Sequence, residues 1–177
     1  MLLSSLGFND INNKAGLEVL VMAELDDWDI YFLQRAYLIS ENSTCKQRHV
    51  GAVLVKDKQI LASGYNGAPF NLKNCLELGC LKEQHKIPVG VGARHDLCRA
   101  VHAEQNVIVQ AALHGISTRH STVYCTCSPC IICAKMLINA QISRFVACKE
   151  YPDDGYKSLF NEANIIFDAL NKNRSLF

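Results

Sequence analysis

His102-Ala103-Glu104 and Ser128-Pro129-Cys130-Ile131-Ile132-Cys133 are the two segments of this 177-residue chain whose residue types and spacing could do chemistry. One imidazole and two thiolates make a three-ligand zinc set, which leaves the fourth tetrahedral position to water, as a catalytic site requires. Cys130 and Cys133 are nearly one helical turn apart, so both sulfurs can point at one metal. A helix beginning there favours the thiolate through its dipole and free N–H groups. Glu104 stands beyond the histidine and would not ligate; it could serve water at the site as general base.

Each half is weak alone. Cys-x-x-Cys pairs, Cys127 and Cys130 included, also occur in redox and structural metal sites. Both together, in this order and each opening a helix, are far more specific: they match the pattern of zinc-dependent nucleobase deaminases.

Positioning these groups takes a scaffold, and its elements are readable. Asp26 or Asp27 can cap a helix carrying Ile30, Leu33, Ala36 and Tyr37 at helical spacing. Val50–Val55 and Gln59–Ser63 read as a hairpin turning at Lys56-Asp57-Lys58, and Gly64-Tyr65-Asn66-Gly67 as the loop that ends it. Val101–His114 reads as a helix stopped by Gly115. Strands at Thr122–Thr126, Arg144–Cys148 and Ile165–Phe167 alternate with helices at Ile131–Asn139 and Gly155–Ala163. That alternation implies parallel strands with crossover helices, hence a three-layer α/β domain with an antiparallel hairpin at one edge. Residues 1–25 read as an extension of unassigned role, with Met22 a plausible true start, and 26–177 as one domain.

Composition narrows the class further. A net charge of +1, from 18 basic and 17 acidic residues, argues against a chain that coats nucleic acid or an anionic membrane. The apolar run Leu17–Leu25 is interrupted by Glu18 and Glu24 and is too short to span a bilayer. No basic segment precedes it, so a cytoplasmic chain is expected. Nine cysteines with six histidines point to metal ligation in a reducing compartment rather than to disulfides. Cys148, in an apolar run, reads as a small buried hydrophobe. Residues 70–99 hold Cys75, Cys80 and Cys98 with little periodicity, and a stretch of that length must be functional or tied down.

The chain resembles the deoxycytidylate deaminases, including bacterial competence-operon and phage relatives, over about residues 28–167. The likeness rests on Thr44-Cys45 and Arg48 before Val50-Gly51-Ala52-Val53, on Gly64-Tyr65-Asn66-Gly67, and on Cys75 through Gly79-Cys80. It continues through Leu97-Cys98-Arg99-Ala100-Val101-His102-Ala103-Glu104-Gln105-Asn106 and Pro129-Cys130-Ile131-Ile132-Cys133-Ala134-Lys135. The resemblance implies a cytidine-deaminase-like α/β/α fold with a mixed five-stranded sheet, and conversion of dCMP to dUMP and ammonia. It implies a catalytic zinc on His102, Cys130 and Cys133, with Glu104 moving protons. Asn66 would contact the sugar, the Ala103 N–H the pyrimidine O2, and Arg48 and Arg99 the phosphate, ahead of Lys73, Arg94 and Lys135. A second, structural zinc would take Cys45, Cys75 and Cys98, with either Cys80 or His95 as the fourth ligand. In regulated relatives the Gly64–Gly67 loop binds magnesium–dCTP; Leu113 departs from a phage relative's effector-linked arginine. Assembly as a homo-oligomer, a hexamer or a dimer, is implied as well.

Three other readings fit less well. A polynucleotide deaminase would carry a basic face, and a free-cytidine deaminase would lack the cysteine-rich insert. A silent zinc module would have no need of Glu104.

Overall fold

The computed structural model describes residues 25–87, 95–151, 154–170 and 175–177. The expected extension and Arg94 fall almost wholly or wholly outside these residues. Helix α1 (Asp27–Ser40) starts at an Asp26 cap, whose carboxylate accepts from the Asp29 N–H at 2.7 Å while Asp29 returns the bond. Strands β1 (Gly51–Lys56) and β2 (Gln59–Tyr65) form the hairpin, turning through Asp57 and Lys58 at φ of 51° and 60°. Single-turn helices α2 (Cys75–Leu78) and α3 (Leu81–Gln84) and a 3₁₀ turn, His95–Leu97, follow. Then come α4 (Ala103–Leu113), β3 (Thr122–Cys125), α5 (Ile131–Asn139), β4 (Arg144–Ala147), α6 (Gly155–Glu162) and β5 (Ile166–Ala169).

The sheet order is β2-β1-β3-β4-β5; β1 runs antiparallel to both neighbours, and β3, β4 and β5 run parallel. Alternation along β1 sends Ala52 and Leu54 to one face and Val53 and Val55 to the other. The first face packs with Val107 and Ala111 of α4, Leu137 of α5 and Phe160 of α6. The second packs under Phe32, Leu33 and Ala36 of α1. Three layers result, with strands buried on both sides.

Register then decides where a site can form. Gly51 pairs with Tyr65 and Ala52 with Cys125, so the start of β1 and the ends of β2 and β3 share one edge. The end of β4 lies there too, because Cys125 pairs with Ala147. Two glycines permit the close helix contacts behind that edge. A Cβ on Gly51 would lie 2.1 Å from the Ala36 carbonyl oxygen, and one on Gly64 would lie 2.7 Å from that of Ala103.

Four expectations shift. Gly64 and Tyr65 belong to β2, held in the ladder opposite Ala52 and Gly51, and Gly67 bridges to Val101. Val101 is spent on that bridge, so α4 starts two residues later than the periodicity implied. Two short helices lie within the insert, each of four residues and so too short to show a period. The last strand extends to Ala169, whose backbone pairs with Ala147 of β4, and its Asp168 joins an ion pair.

That ion pair closes the opposite edge of the sheet. Arg144 grips the Asp29 carboxylate with both terminal nitrogens, at 2.7 and 2.9 Å, and Asp168 with Nε at 2.7 Å. Tyr124 donates to Asp29 at 2.9 Å. Burial by itself would raise the Asp29 pKa, but the Arg144 and Tyr124 bonds overcome it and hold it below the usual range. A depressed carboxyl contributes stability above its unfolded pKa of about 3.9, lost as pH falls through the folded value. Asp29→Asn should therefore flatten the fall in stability below about pH 4. Arg144→Met leaves two buried carboxylates uncompensated and should cost about 3–5 kcal/mol, read by urea unfolding at pH 7.

Candidate active site

α4 and α5 aim their N-termini at the edge where β1, β2, β3 and β4 converge. His102 caps α4, its N–H donating to Gln105 Oε1 at 2.9 Å. Cys130 is the N-cap of α5, following Ser128-Pro129 after β3, and Cys133 lies in the first turn. His102 Nδ1 is thereby 3.6 Å from Cys130 Sγ and 3.4 Å from Cys133 Sγ. Among the described residues this is the group of ligating side chains whose atoms all fall within 4.8 Å of one another. One soft nitrogen and two soft sulfurs at that spacing fit a tetrahedral zinc with one position open.

The electrostatics agree. A hydrogen bond from Cys133 lowers the Cys130 pKa to about 3 against the cost of burial, with His102 adding to the effect. The bond to Cys130 likewise raises the His102 pKa, again against burial. Cys133, the donor in this pair, is pushed upward. Glu104 is 4% exposed at the start of α4, and burial raises its carboxyl pKa although His102 opposes the shift. A buried carboxyl whose pKa is raised holds a proton more firmly than an exposed one, which suits a group that must take a proton and return it.

Glu104, His102 and Cys130 open onto a cavity shared with Ala103, Asn66 and Arg48. Ala103 is the first residue of α4, so its N–H has no acceptor within the helix. Arg48 lies over the Tyr151 ring, with Cζ 4.3 Å from the centroid. Arg99 also lines the cavity, but its Nε donates to the Lys73 carbonyl at 2.9 Å and so ties down the insert. Lys73 and Lys135 are not among the lining residues. Lys82 of α3 and Tyr151 are, and sequence reasoning missed both: neither lies in a motif, and each arrives from a distant segment. Cys127 lines the same cavity, whereas Cys125 is buried in the core. Cys148 is half-buried beside the α1 cluster, and burial pushes its thiol up to about 12.

Of the remaining four cysteines, three gather around Cys75. Burial raises the Cys75 thiol pKa, and Cys45, Cys80 and Cys98 raise it further. Cys75 and Cys80 are buried, and the Gln47 N–H donates to Cys45 Sγ at 3.4 Å. These thiols do not include three within the 4.8 Å spacing of the first group. His95 opens the 3₁₀ turn, but its side chain lies outside what is described.

This combination of a three-layer α/β/α domain and a His-Cys-Cys cradle with a buried glutamate defines a zinc-dependent deaminase. The chain belongs to the cytidine and deoxycytidylate deaminase family, whose zinc-binding region matches residues 26–149. It is 34% identical over 145 residues to ComE operon protein 2 of Bacillus subtilis, covering 81% of this chain and 71% of that protein. It is 33% identical over 172 residues to the deoxycytidylate deaminase of Enterobacteria phage T4, covering 80% of this chain and 89% of that enzyme. The match to the Saccharomyces cerevisiae deoxycytidylate deaminase, 32% identical over 136 residues, covers 76% of this chain but 42% of that longer protein. Among solved structures, the dCMP deaminase of cyanophage S-TIM5 in complex with dCMP and dUMP superposes with a TM-score of 0.65. That pair is 29% identical, over 79% of this chain and 94% of the phage chain. Among the described residues no helix is long and apolar enough to cross a membrane.

Proposed function

We propose that this protein hydrolyses dCMP to dUMP and ammonia, supplying dUMP for thymidylate synthesis in the cytoplasm. The observation that carries the reading is Glu104, buried beside the His102–Cys130–Cys133 cradle in a cavity that also holds Arg48. The naming of the T4 and S-TIM5 relatives supports the choice of nucleotide.

His102, Cys130 and Cys133 would hold zinc, which when bound supplies Lewis acidity that activates water as a nucleophile near neutral pH. The Ala103 N–H and the Asn66 amide orient the nucleotide through the pyrimidine O2 and the sugar. Glu104 takes a proton from water as its oxygen adds to C4, and passes that proton to N3. The same carboxylate then moves the second proton to the amino nitrogen, and the C4–N bond breaks to release ammonia. Leu81, Ile87 and Leu97 of the insert give the same cavity an apolar wall.

Arg48, braced on Tyr151, is assigned to the phosphate. Arg48→Ala should raise KM for dCMP by about 30-fold while changing deoxycytidine turnover less than about threefold, since only the charge-assisted contact is lost. Spectrophotometric deamination of dCMP, CMP, deoxycytidine and cytidine tests the reading as a whole. Preference for dCMP supports it; activity confined to nucleosides overturns the substrate and keeps the chemistry. Residues 26–177 would act as one domain, with dCTP and Mg²⁺ regulation at Gly64–Gly67 tested by adding both to the same assay. Exposed Val109 and Leu113 on α4 suit burial between copies in a homo-oligomer.

A further inference from the structure

Asn66 lines the cavity, yet most of its polar capacity is turned inward. Its Oδ1 accepts from the Val50 N–H at 2.8 Å, and its Nδ2 donates to the Arg48 carbonyl at 2.9 Å. The second donor to that oxygen comes from an unexpected quarter: Ser43, in the link between α1 and β1. The Ser43 hydroxyl lies 2.7 Å from Asn66 Oδ1 and 2.9 Å from the Asn66 carbonyl oxygen, and accepts from the Cys45 N–H at 3.2 Å. Ser43 and Asn66 are 6% and 7% exposed, so these bonds form away from bulk water.

A carboxamide oxygen has two lone pairs. With Val50 and Ser43 on them, neither is open to the cavity, and the second Nδ2 hydrogen is what Asn66 can offer a ligand. The residue is thereby a donor, suited to a sugar hydroxyl or phosphate oxygen. The same bonds fix the peptide that carries Arg48. We propose that Ser43 is a positioning residue for nucleotide binding: its hydroxyl sets Asn66 as a donor and seats the Arg48 segment. This rests on the deaminase reading above and adds a residue that is not itself part of the cavity lining.

Ser43→Ala leaves one Oδ1 lone pair unpaired and loosens the 43–50 segment. KM for dCMP should rise about tenfold with kcat within about twofold and zinc content unchanged. Ser43→Thr keeps the hydroxyl and should recover most of the loss. On an Asn66→Ala background the Ser43→Ala change should alter KM less than about twofold, because the partner is gone. If the alanine variant does not fold, Ser43→Cys, a weak donor of similar size, should raise KM at least about threefold. An unchanged KM, an equal fall in kcat, or an undiminished effect without Asn66 overturns the proposal. Wild-type protein is assayed alongside: no dCMP turnover at all overturns the deaminase reading, whereas turnover with an indifferent Ser43 variant overturns this proposal alone.

Discussion

Glu104→Gln should lower kcat for dCMP by about 10³-fold while leaving KM within a few-fold and zinc bound. The size follows from what a positioned acid–base group contributes, about 10²–10⁴ in rate. Here one carboxylate serves several proton transfers, so the low end of that range is not expected and the loss should reach at least its middle. Glutamine keeps the shape of the side chain beside Cys133 and can still hydrogen-bond, but it cannot take a proton from water. The helix start is unaffected, since the His102 cap is held by Gln105 rather than by Glu104. Steady-state kinetics and metal analysis on the same preparation decide the matter. A variant that loses zinc along with activity would make Glu104 a structural residue; one that keeps kcat would move the proton transfers elsewhere.

The legible part of this molecule was its local chemistry. Asp26 as a cap, Gly115 as a helix stop at φ 65°, and α5 from Ile131 to Asn139 all follow from neighbours in sequence. His102, Cys130 and Cys133 were found because their spacing encodes metal geometry, and they do come together. What stayed hidden depends on contacts between distant segments. Tyr151 under Arg48, and Ser43 on Asn66, join residues 103 and 23 positions apart, and each is an ordinary residue in its own stretch. Arg99 lines the cavity as its motif suggests, and the bond from its Nε to the Lys73 carbonyl, 26 positions away, is another contact that the sequence does not reveal. The Asp29–Arg144–Asp168 network was unreadable for the same reason: charge alone does not tell a buried pair from a solvated one. Gly64 misled more simply. Gly-Tyr-Asn-Gly reads as a loop, yet its first glycine is required by the passage of α4 over β2.

The insert raises the second large prediction, because apolar burial does not account for its order. Of its described side chains Cys75 and Cys80 are buried, while Phe70, Leu72, Leu76 and Leu78 are exposed. What ties it down is polar: the reciprocal Asn74–Glu77 cap, the Gln47–Glu83 hydrogen bond and the Arg99–Lys73 bond. Such contacts contribute roughly 1 kcal/mol each, too little to offset the ordering of the described residues 70–87 and 95–99. Cys75 and the three thiols around it offer the missing term, since a closed thiolate site converts metal affinity into folding free energy. The raised Cys75 pKa has the same origin: burial and three neighbouring sulfurs disfavour its thiolate until a cation compensates. Purified protein should therefore carry two zinc ions per chain by elemental analysis. Cys75→Ser should carry one, with Tm lowered by about 10 °C, as expected for a loss of roughly 3–4 kcal/mol in a domain of this size. Activity should fall with it, because the insert brings Lys82 and Arg99 to the cavity wall. Cys148→Ser, outside both clusters, should keep both ions. One zinc in the wild-type protein, or two in Cys75→Ser, would mean that the insert is ordered by something other than these cysteines.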